Sequence, residues 1–176
     1  MVQKIAVFWF RRDLRINDNH GFHEALNSGL PVLPVFIFYI FILKKIKAKD
    51  DSRITFIYSE IQKLKNNFEE QGSSLMIFQG KPLNVFEQLI KDFEIEAVYI
   101  NNDYEPYALQ RDTEIQGFLT KKGIEFNAFK DQVIFEKNEI LKKNGEPYTI
   151  YTPYNRNWKK AMERNEIPHY PSENLL

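Results

Sequence analysis

Charged side chains crowd the run WFRRDLRINDN at residues 9–19, directly after a short apolar run. It carries three arginines and two aspartates. A guanidinium group presents a planar fork of donors that matches a carboxylate, so these residues can form a buried network of bidentate ion pairs. We expect this network to fix a strand-to-helix turn, or the packing against a neighbouring domain, rather than to contact a ligand.

A second group of chemically active residues lies in NNDYEPY at 101–107, with an Arg-Asp pair at 111–112. The carboxylates of Asp103 and Glu105 can accept hydrogen bonds from N–H or O–H groups on the edge of a flat ring. Glu105 has an alternative role, because it precedes a helix start at Pro106 and a helix N-terminus favours negative charge. Arg53 offers a planar cation for stacking or ion pairing. Alternatively, Arg53 is only a surface residue in the first turn of a helix, where the helix dipole disfavours a cation.

Several features that would indicate other classes of protein are missing. There is neither a G-x-G-x-x-G nor a Walker phosphate loop, which argues against a classical NAD enzyme or a P-loop protein. The chain has no cysteine, which excludes disulfides, thiolate chemistry and cysteine-based metal sites. The three histidines do not cluster with carboxylates, so no metal site is expected. Lys plus Arg equals Asp plus Glu at 24 each, which gives no electrostatic argument for nucleic-acid binding by this chain alone. The apolar run at 33–43 is shorter than the roughly 20 residues of a membrane helix, and we predict a buried strand there.

Five apolar segments alternate with helical patterns along the chain. The predicted strands are Ile5–Phe10, Val32–Phe38, Ser74–Phe78, Ala97–Ile100 and Ile124–Phe129. The predicted helices begin at a cap on Asp18 or Asn19, at a cap on Ser52, at Pro82 and at Pro106. This alternation predicts an α/β fold: an open, doubly wound, five-stranded parallel sheet with helices on both faces, Rossmann-like or flavodoxin-like.

A ligand site in such a sheet lies beyond the carboxyl ends of the strands. We therefore place a candidate site between the ends of the second and fourth strands, with Phe36 and Phe38 approaching from one side. The chain after residue 131 loses the alternation. It is predicted to contain a helix from about Pro153 to Arg164 and an aperiodic tail that is a linker or a disordered end.

Four segments, taken in order, resemble the DNA photolyase/cryptochrome family: residues 9–19, RITF at 53–56, residues 101–112 and PYTIYTPY at 147–154 with Trp158. The resemblance spans essentially the whole chain and implies the N-terminal light-harvesting domain of a deoxyribodipyrimidine photolyase. It also implies that Arg53, Asp103 and Glu105 contact an antenna pigment, which is a deazaflavin, a folate or FMN. No catalytic residue is implied within the chain.

The resemblance further implies how the protein is organised. Residues 1–165 would form the antenna domain and residues 166–176 would begin a linker to an FAD-binding helical domain that is absent from this sequence. In the family, excitation of the pigment passes to reduced FAD, which donates an electron to a cyclobutane pyrimidine dimer in DNA. We thus expect a cytoplasmic chain, monomeric and not catalytic alone, whose partners are its own FAD domain and, through that domain, UV-damaged DNA.

Alternative functions remain open at this stage. One is the same domain of a cryptochrome, a light-signalling protein without repair activity, and another is a stand-alone nucleotide-binding module. A third is an interaction domain with an empty pocket, because Tyr39-Ile40-Phe41 stands where the family often has an aspartate followed by proline.

Overall fold

A parallel five-stranded sheet forms the centre of the protein, for which a computed structural model describes residues 3–39 and 51–176. The strands are β1 Lys4–Phe10, β2 Val32–Phe38, β3 Met76–Gln79, β4 Glu94–Asn101 and β5 Glu125–Phe129. Their order across the sheet is β3-β2-β1-β4-β5, and every neighbouring pair is parallel. The predicted fold class is confirmed.

Five helices and one short 3₁₀ helix are assigned in the described ranges: α1 His20–Leu26, α2 Ser52–Glu70, α3 Pro82–Asp92, α4 Pro106–Thr120, α5 Tyr151–Arg164, and the 3₁₀ helix Ser172–Leu175. Asn19 caps α1 by accepting a hydrogen bond from the Phe22 N–H at 3.1 Å, as the sequence indicates. The predicted cap of α2 is wrong by one residue. Asp51, not Ser52, accepts the hydrogen bond from the Arg53 N–H, at 2.9 Å.

Side chains of β1 alternate between two hydrophobic cores, because successive residues of a strand point to opposite faces of the sheet. Val7 and Trp9 pack on the face that α3 and α4 cover. Phe8 and Phe10 pack on the other face, against Phe22 of α1 and residues of α2. Both faces of the sheet are therefore buried, which explains why the central strands are almost continuously apolar.

The order of strands reverses at β1, since the chain proceeds from β1 to β2 and β3 on one side and then crosses to β4 and β5 on the other. The carboxyl ends of β1, β2 and β4 consequently meet at one edge. Helix α1 lies close to β4 there. A Cβ built on Gly21 would lie 2.7 Å from the Asn101 Oδ1 and 2.9 Å from the carbonyl oxygen of Ile100, so only glycine fits.

The C-terminal tail packs back on the start of α1. The Ser172 hydroxyl is fully buried, accepts a hydrogen bond from the Asn19 N–H at 3.1 Å and donates one to the carbonyl oxygen of Ile16. Tyr170 stacks on the His20 ring with centroids 3.7 Å apart. The prediction of a disordered end is therefore wrong, while the domain boundary after residue 165 stays a prediction. Within residues 3–39 and 51–176, none of the helices has both the length and the apolarity needed to cross a bilayer.

Candidate functional site

A cavity of about 430 Å³ opens at the carboxyl ends of β1, β2 and β4. Its volume falls in the range of roughly 300–1,000 Å³ that is typical of small-molecule sites. A larger cleft of about 610 Å³ lies beneath α5, where Phe135, Met162 and Tyr170 contribute to its walls. We regard the smaller cavity as the candidate site, because it occupies the edge where open parallel sheets bind ligands.

Four of the five residues that the sequence predicts for the site line this one cavity: Phe36, Arg53, Asp103 and Glu105. The fifth, Phe38, is not among the lining residues. It contacts Phe36 edge to face, with ring centroids 4.9 Å apart, and packs against the core beneath α1 and α2. The structure thus brings together side chains from β2, α2 and the segment after β4, and leaves Phe38 as a supporting residue behind the wall.

Two carboxylates form the acidic wall of the cavity. Asp103 is almost buried and accepts a hydrogen bond from the Glu105 N–H at 3.2 Å. Glu105 is exposed and accepts one from the Arg12 Nη1 at 2.9 Å, while the same Nη1 lies 3.5 Å from the Asp103 Oδ1. Glu105 is the N-cap residue of α4, but its side chain makes no hydrogen bond to the helix end. The acidic wall, Asp103 and Glu105 with Arg12, presents hydrogen-bond acceptors to a ligand.

Arg53 lies in the first turn of α2, at the mouth of the cavity, with 72% of its side chain exposed. Its Nε and Nη2 donate to the two oxygens of Asp51 at 2.9 Å and 2.6 Å. These hydrogen bonds lower the pKa of the Asp51 carboxyl to about 2. The carboxylate both caps α2 and holds the guanidinium plane in place, which explains how a cation is accommodated at a helix N-terminus.

A basic wall stands on the α4 side of the cavity and consists of Arg11, Arg111 and the carboxylate that they share, Asp112. The Arg11 Nη1 donates to the Asp112 Oδ2 at 2.6 Å, and the Arg111 Nε donates to the Asp112 Oδ1 at 2.9 Å. The guanidinium carbons lie 5.5 Å and 5.0 Å from the centroid of the Trp9 ring. Sequence reasoning assigned no ligand role to this wall, although the Arg-Asp pair at 111–112 lay within one of its motifs.

Tyr39 and Tyr107 close one side of the cavity, with nearly parallel rings whose centroids are 5.5 Å apart. Burial, and secondarily the neighbouring Tyr39, raise the pKa of the Tyr107 phenol, which therefore stays neutral. The residue that departs from the family pattern thus supplies an aromatic surface rather than a carboxylate. Residues 40 and 41 of the same departure lie outside the described residues.

The three arginines of the charged run at 11–18 are ion-paired, but with partners far along the chain, and Arg12 and Arg15 are partly exposed rather than part of the predicted buried network. Arg11 pairs with Asp112, Arg12 with Glu105, and the Arg15 Nη2 lies 2.7 Å from the Asp131 Oδ1. Asp13 instead accepts hydrogen bonds from the Arg11 N–H at 2.7 Å and the Asn101 Nδ2 at 2.6 Å. Burial raises the pKa of Asp13, and these bonds offset the effect only in part.

No group of three or more His, Cys, Asp or Glu residues in the described ranges is arranged to hold a metal ion. The cavity instead combines aromatic surfaces, an acidic wall and a basic wall. That combination suits a flat polar ring, because the ring faces can pack on aromatic side chains while its edges form hydrogen bonds.

Comparison with known proteins gives a consistent result. The family model described as DNA photolyase matches residues 6–172. A deoxyribodipyrimidine photo-lyase from a Synechococcus strain is 33% identical over 153 residues, covering 87% of this chain and 31% of that protein. A cryptochrome-1 from Spalax judaei is 28% identical over 164 residues, covering 93% of this chain and 28% of that protein.

The fold agrees with this result. The crystal structure of a class III photolyase from Agrobacterium tumefaciens matches with a TM-score of 0.80 at 24% identity, covering 98% of this chain and 35% of that one. The chain therefore spans about a third of the length of the photolyases that it matches. Because the family match runs from β1 to the C-terminal tail, this protein belongs to the DNA photolyase family.

Proposed function

We propose that this chain is the light-harvesting domain of a deoxyribodipyrimidine photolyase and that its 430 Å³ cavity binds a flat heteroaromatic pigment. The observation that carries the proposal is the cavity itself. It lies at the carboxyl edge of the sheet and gathers Arg53, Asp103 and Glu105 from segments far apart in sequence. Family membership supports the same function.

The residues of the cavity fit such a pigment. Asp103 and Glu105 would accept hydrogen bonds from N–H groups on the ring edge, and Phe36 and Tyr107 would pack against its surface. Arg53, held by Asp51, would lie over the mouth. A deazaflavin, a folate and FMN each present a flat ring with polar edges, so all three are candidates for this site.

The remainder of the activity would need a further domain. We propose that a helical domain holds FAD, which supplies the electron for splitting a pyrimidine dimer, and that UV-damaged DNA is bound there. Within this chain, residues 1–165 would form the domain and residues 166–176 would begin the linker, which first returns along α1 through Tyr170 and Ser172. We further propose a cytoplasmic protein whose chain is monomeric on its own.

Titration of the purified chain with FMN, a deazaflavin and a folate tests the pigment site, with quenching of tryptophan fluorescence as the readout. Losing one hydrogen bond to a charged group costs about 1.5–3 kcal/mol, or roughly ten- to a hundredfold in affinity. Asp103→Asn and Glu105→Gln should each weaken binding by that factor. Glu87→Gln, on the exposed surface of α3 and outside the cavity lining, is the matched control.

Two results would contradict the proposal. If a pigment binds and neither variant weakens it, the ligand lies elsewhere. If no pigment binds, even when the flavin domain is present, the cavity is not a pigment site and an interaction domain becomes the better description.

The similarity to cryptochromes favours a second candidate, the corresponding domain of a light-signalling protein. Repair of a dimer-containing oligonucleotide separates the two functions. The photolyase proposal expects light-dependent dimer splitting by a protein that carries this domain together with its FAD domain. A flavin-loaded protein that is photoreduced but leaves the dimer intact would support the cryptochrome.

A further inference from the structure

The two charged walls of the cavity are unequally paired. In the acidic wall one guanidinium, Arg12, serves two carboxylates, Asp103 and Glu105. In the basic wall two guanidiniums, those of Arg11 and Arg111, share the single carboxylate of Asp112. The remaining cation of the lining, Arg53, is paired one to one with Asp51. Counted over residues 3–39 and 51–176, the lining therefore has an excess of negative charge on one side and an excess of positive charge on the other.

The basic wall also has donors without acceptors. The Nη2 atoms of both Arg11 and Arg111 are buried and make no hydrogen bond to any described residue, although the Arg111 Nη2 lies 2.8 Å from an Asp112 oxygen in poor geometry. The Arg11 side chain is only 6% exposed. Buried donors in proteins are almost always paired, since an unpaired one costs its full desolvation energy. Both guanidiniums line the cavity, so a small rotation of either side chain would bring its buried Nη2 to an acceptor inside it.

We infer that the cavity's ligand carries an anionic oxygen group, a phosphate or a carboxylate, bound by Arg11 and Arg111 beside Trp9. This inference rests on the proposed pigment site and makes Arg11 and Arg111 its specificity-determining residues. Two guanidinium forks that share one carboxylate can each direct a further N–H at a second anion, which is the donor set that oxyanions match. The acidic wall orients the same ligand, because it attracts N–H donors and repels the anion.

Pairs of ligands that differ only in the anion give a direct test. FMN and riboflavin share one ring system and differ in a phosphate, while folate and its dimethyl ester differ in carboxylate charge. If the cavity binds one of these ring systems, two charge-assisted bonds to its buried anion predict that the charged ligand binds at least tenfold more tightly than its neutral counterpart. The pair with the larger ratio of charged-ligand affinity to neutral-ligand affinity identifies the phosphate or the carboxylate as the bound group.

Arg111→Gln tests the assignment to residues. It keeps a hydrogen-bonding side chain and leaves Asp112 paired one to one with Arg11, so the fold should persist. We expect this variant to reduce the charged-to-neutral affinity ratio to within about threefold, with the Kd of the neutral ligand unchanged. Arg11→Gln should act in the same way. Arg156→Gln, an exposed position on α5, should leave the ratio as in the wild type.

The outcomes separate this inference from the proposed function. Equal binding of charged and neutral ligands would overturn the inference and leave the pigment site intact. A preference for the charged ligand that survives both Arg11→Gln and Arg111→Gln would also overturn it. If no pigment binds, the proposed function fails. Inorganic phosphate then tests the anion site alone: it should raise the melting temperature of the wild type but not of Arg111→Gln, and an equal shift in both overturns the inference.

Discussion

Replacing Asp112 by asparagine should strongly destabilise the protein. The carboxylate accepts charge-assisted bonds from Arg11 at 2.6 Å and Arg111 at 2.9 Å, and its own side chain is 15% exposed. Asparagine keeps the shape and one acceptor but removes the only negative charge that the two guanidiniums contact within the described residues. Breaking a buried ion pair costs about 3–5 kcal/mol, chiefly because it leaves an uncompensated buried charge. We expect Asp112→Asn to cost at least about 3 kcal/mol, since two cations are left facing each other.

Urea unfolding followed by far-ultraviolet circular dichroism measures this cost, with an unchanged m-value as the sign that only stability has changed. At 2–4 °C per kcal/mol for a chain of this size, 3 kcal/mol corresponds to a fall in Tm of roughly 6–12 °C. Glu96→Gln is the control, because Glu96 pairs with Lys4 on the open surface and the loss of such a pair changes stability little. If Asp112→Asn costs no more than the control, the basic wall is well solvated and the argument from unpaired buried charge fails.

Three further predictions concern the fold and the activity. Gly21→Ala should destabilise the protein by about 1–3 kcal/mol in thermal melts because its Cβ would clash with Asn101, whereas Gly117→Ala, with nothing within 4 Å, should be neutral or stabilising. The folded pKa of Asp51, about 2, lies below the value of 3.8 expected in the unfolded chain, so its stabilising effect is present above pH 3.8 and is lost as the pH falls toward 2. The unfolding free energies of the wild type and Asp51→Asn should therefore converge over that interval. Finally, this chain alone, given FAD, a reductant and blue light, should leave a pyrimidine dimer intact and bind duplex DNA weakly, since its net charge is zero; any dimer splitting by it would contradict the domain assignment.

Apolar patterning predicts the buried strands well and the edges of strands poorly. The bounds Val32–Phe38 of β2 agree with the sequence prediction, because the strand is buried along most of its length. β4 is longer than predicted, Glu94–Asn101 instead of Ala97–Ile100. Its first residues alternate between exposed glutamates and buried apolar side chains. Glu94 lies opposite Lys4 of β1 in the register of the two parallel strands. Main-chain pairing with a neighbouring strand, which the local sequence does not reveal, extends the strand through these polar positions.

The sequence predicts the site residues whose location follows from the end of a strand. It does not predict those whose role depends on ion pairs with residues far along the chain. Asp103 and Glu105 follow β4 directly, so the rule for parallel sheets places them at the ligand edge. The role of Arg111 depends on its proximity to Arg11. The two arginines share Asp112, which is 101 residues from Arg11 along the chain. Nothing in the spacing favours that pair over the nearby Arg11 and Asp13. The basic wall could therefore be recognised only in three dimensions.

The pairing pattern has a consequence for how variants of the site are interpreted. The charged run after β1 contacts three later parts of the chain: Arg11 contacts α4, Arg12 contacts the segment after β4, and Arg15 contacts the segment after β5. A change in Arg12 alters the acidic wall even without a ligand, because it frees the carboxylate of Glu105. Loss of pigment binding in an Arg12 variant is thus weak evidence for direct contact. Arg111 is a better probe, because its removal leaves Arg11 and Asp112 paired and changes the cavity chiefly by removing an unsatisfied donor.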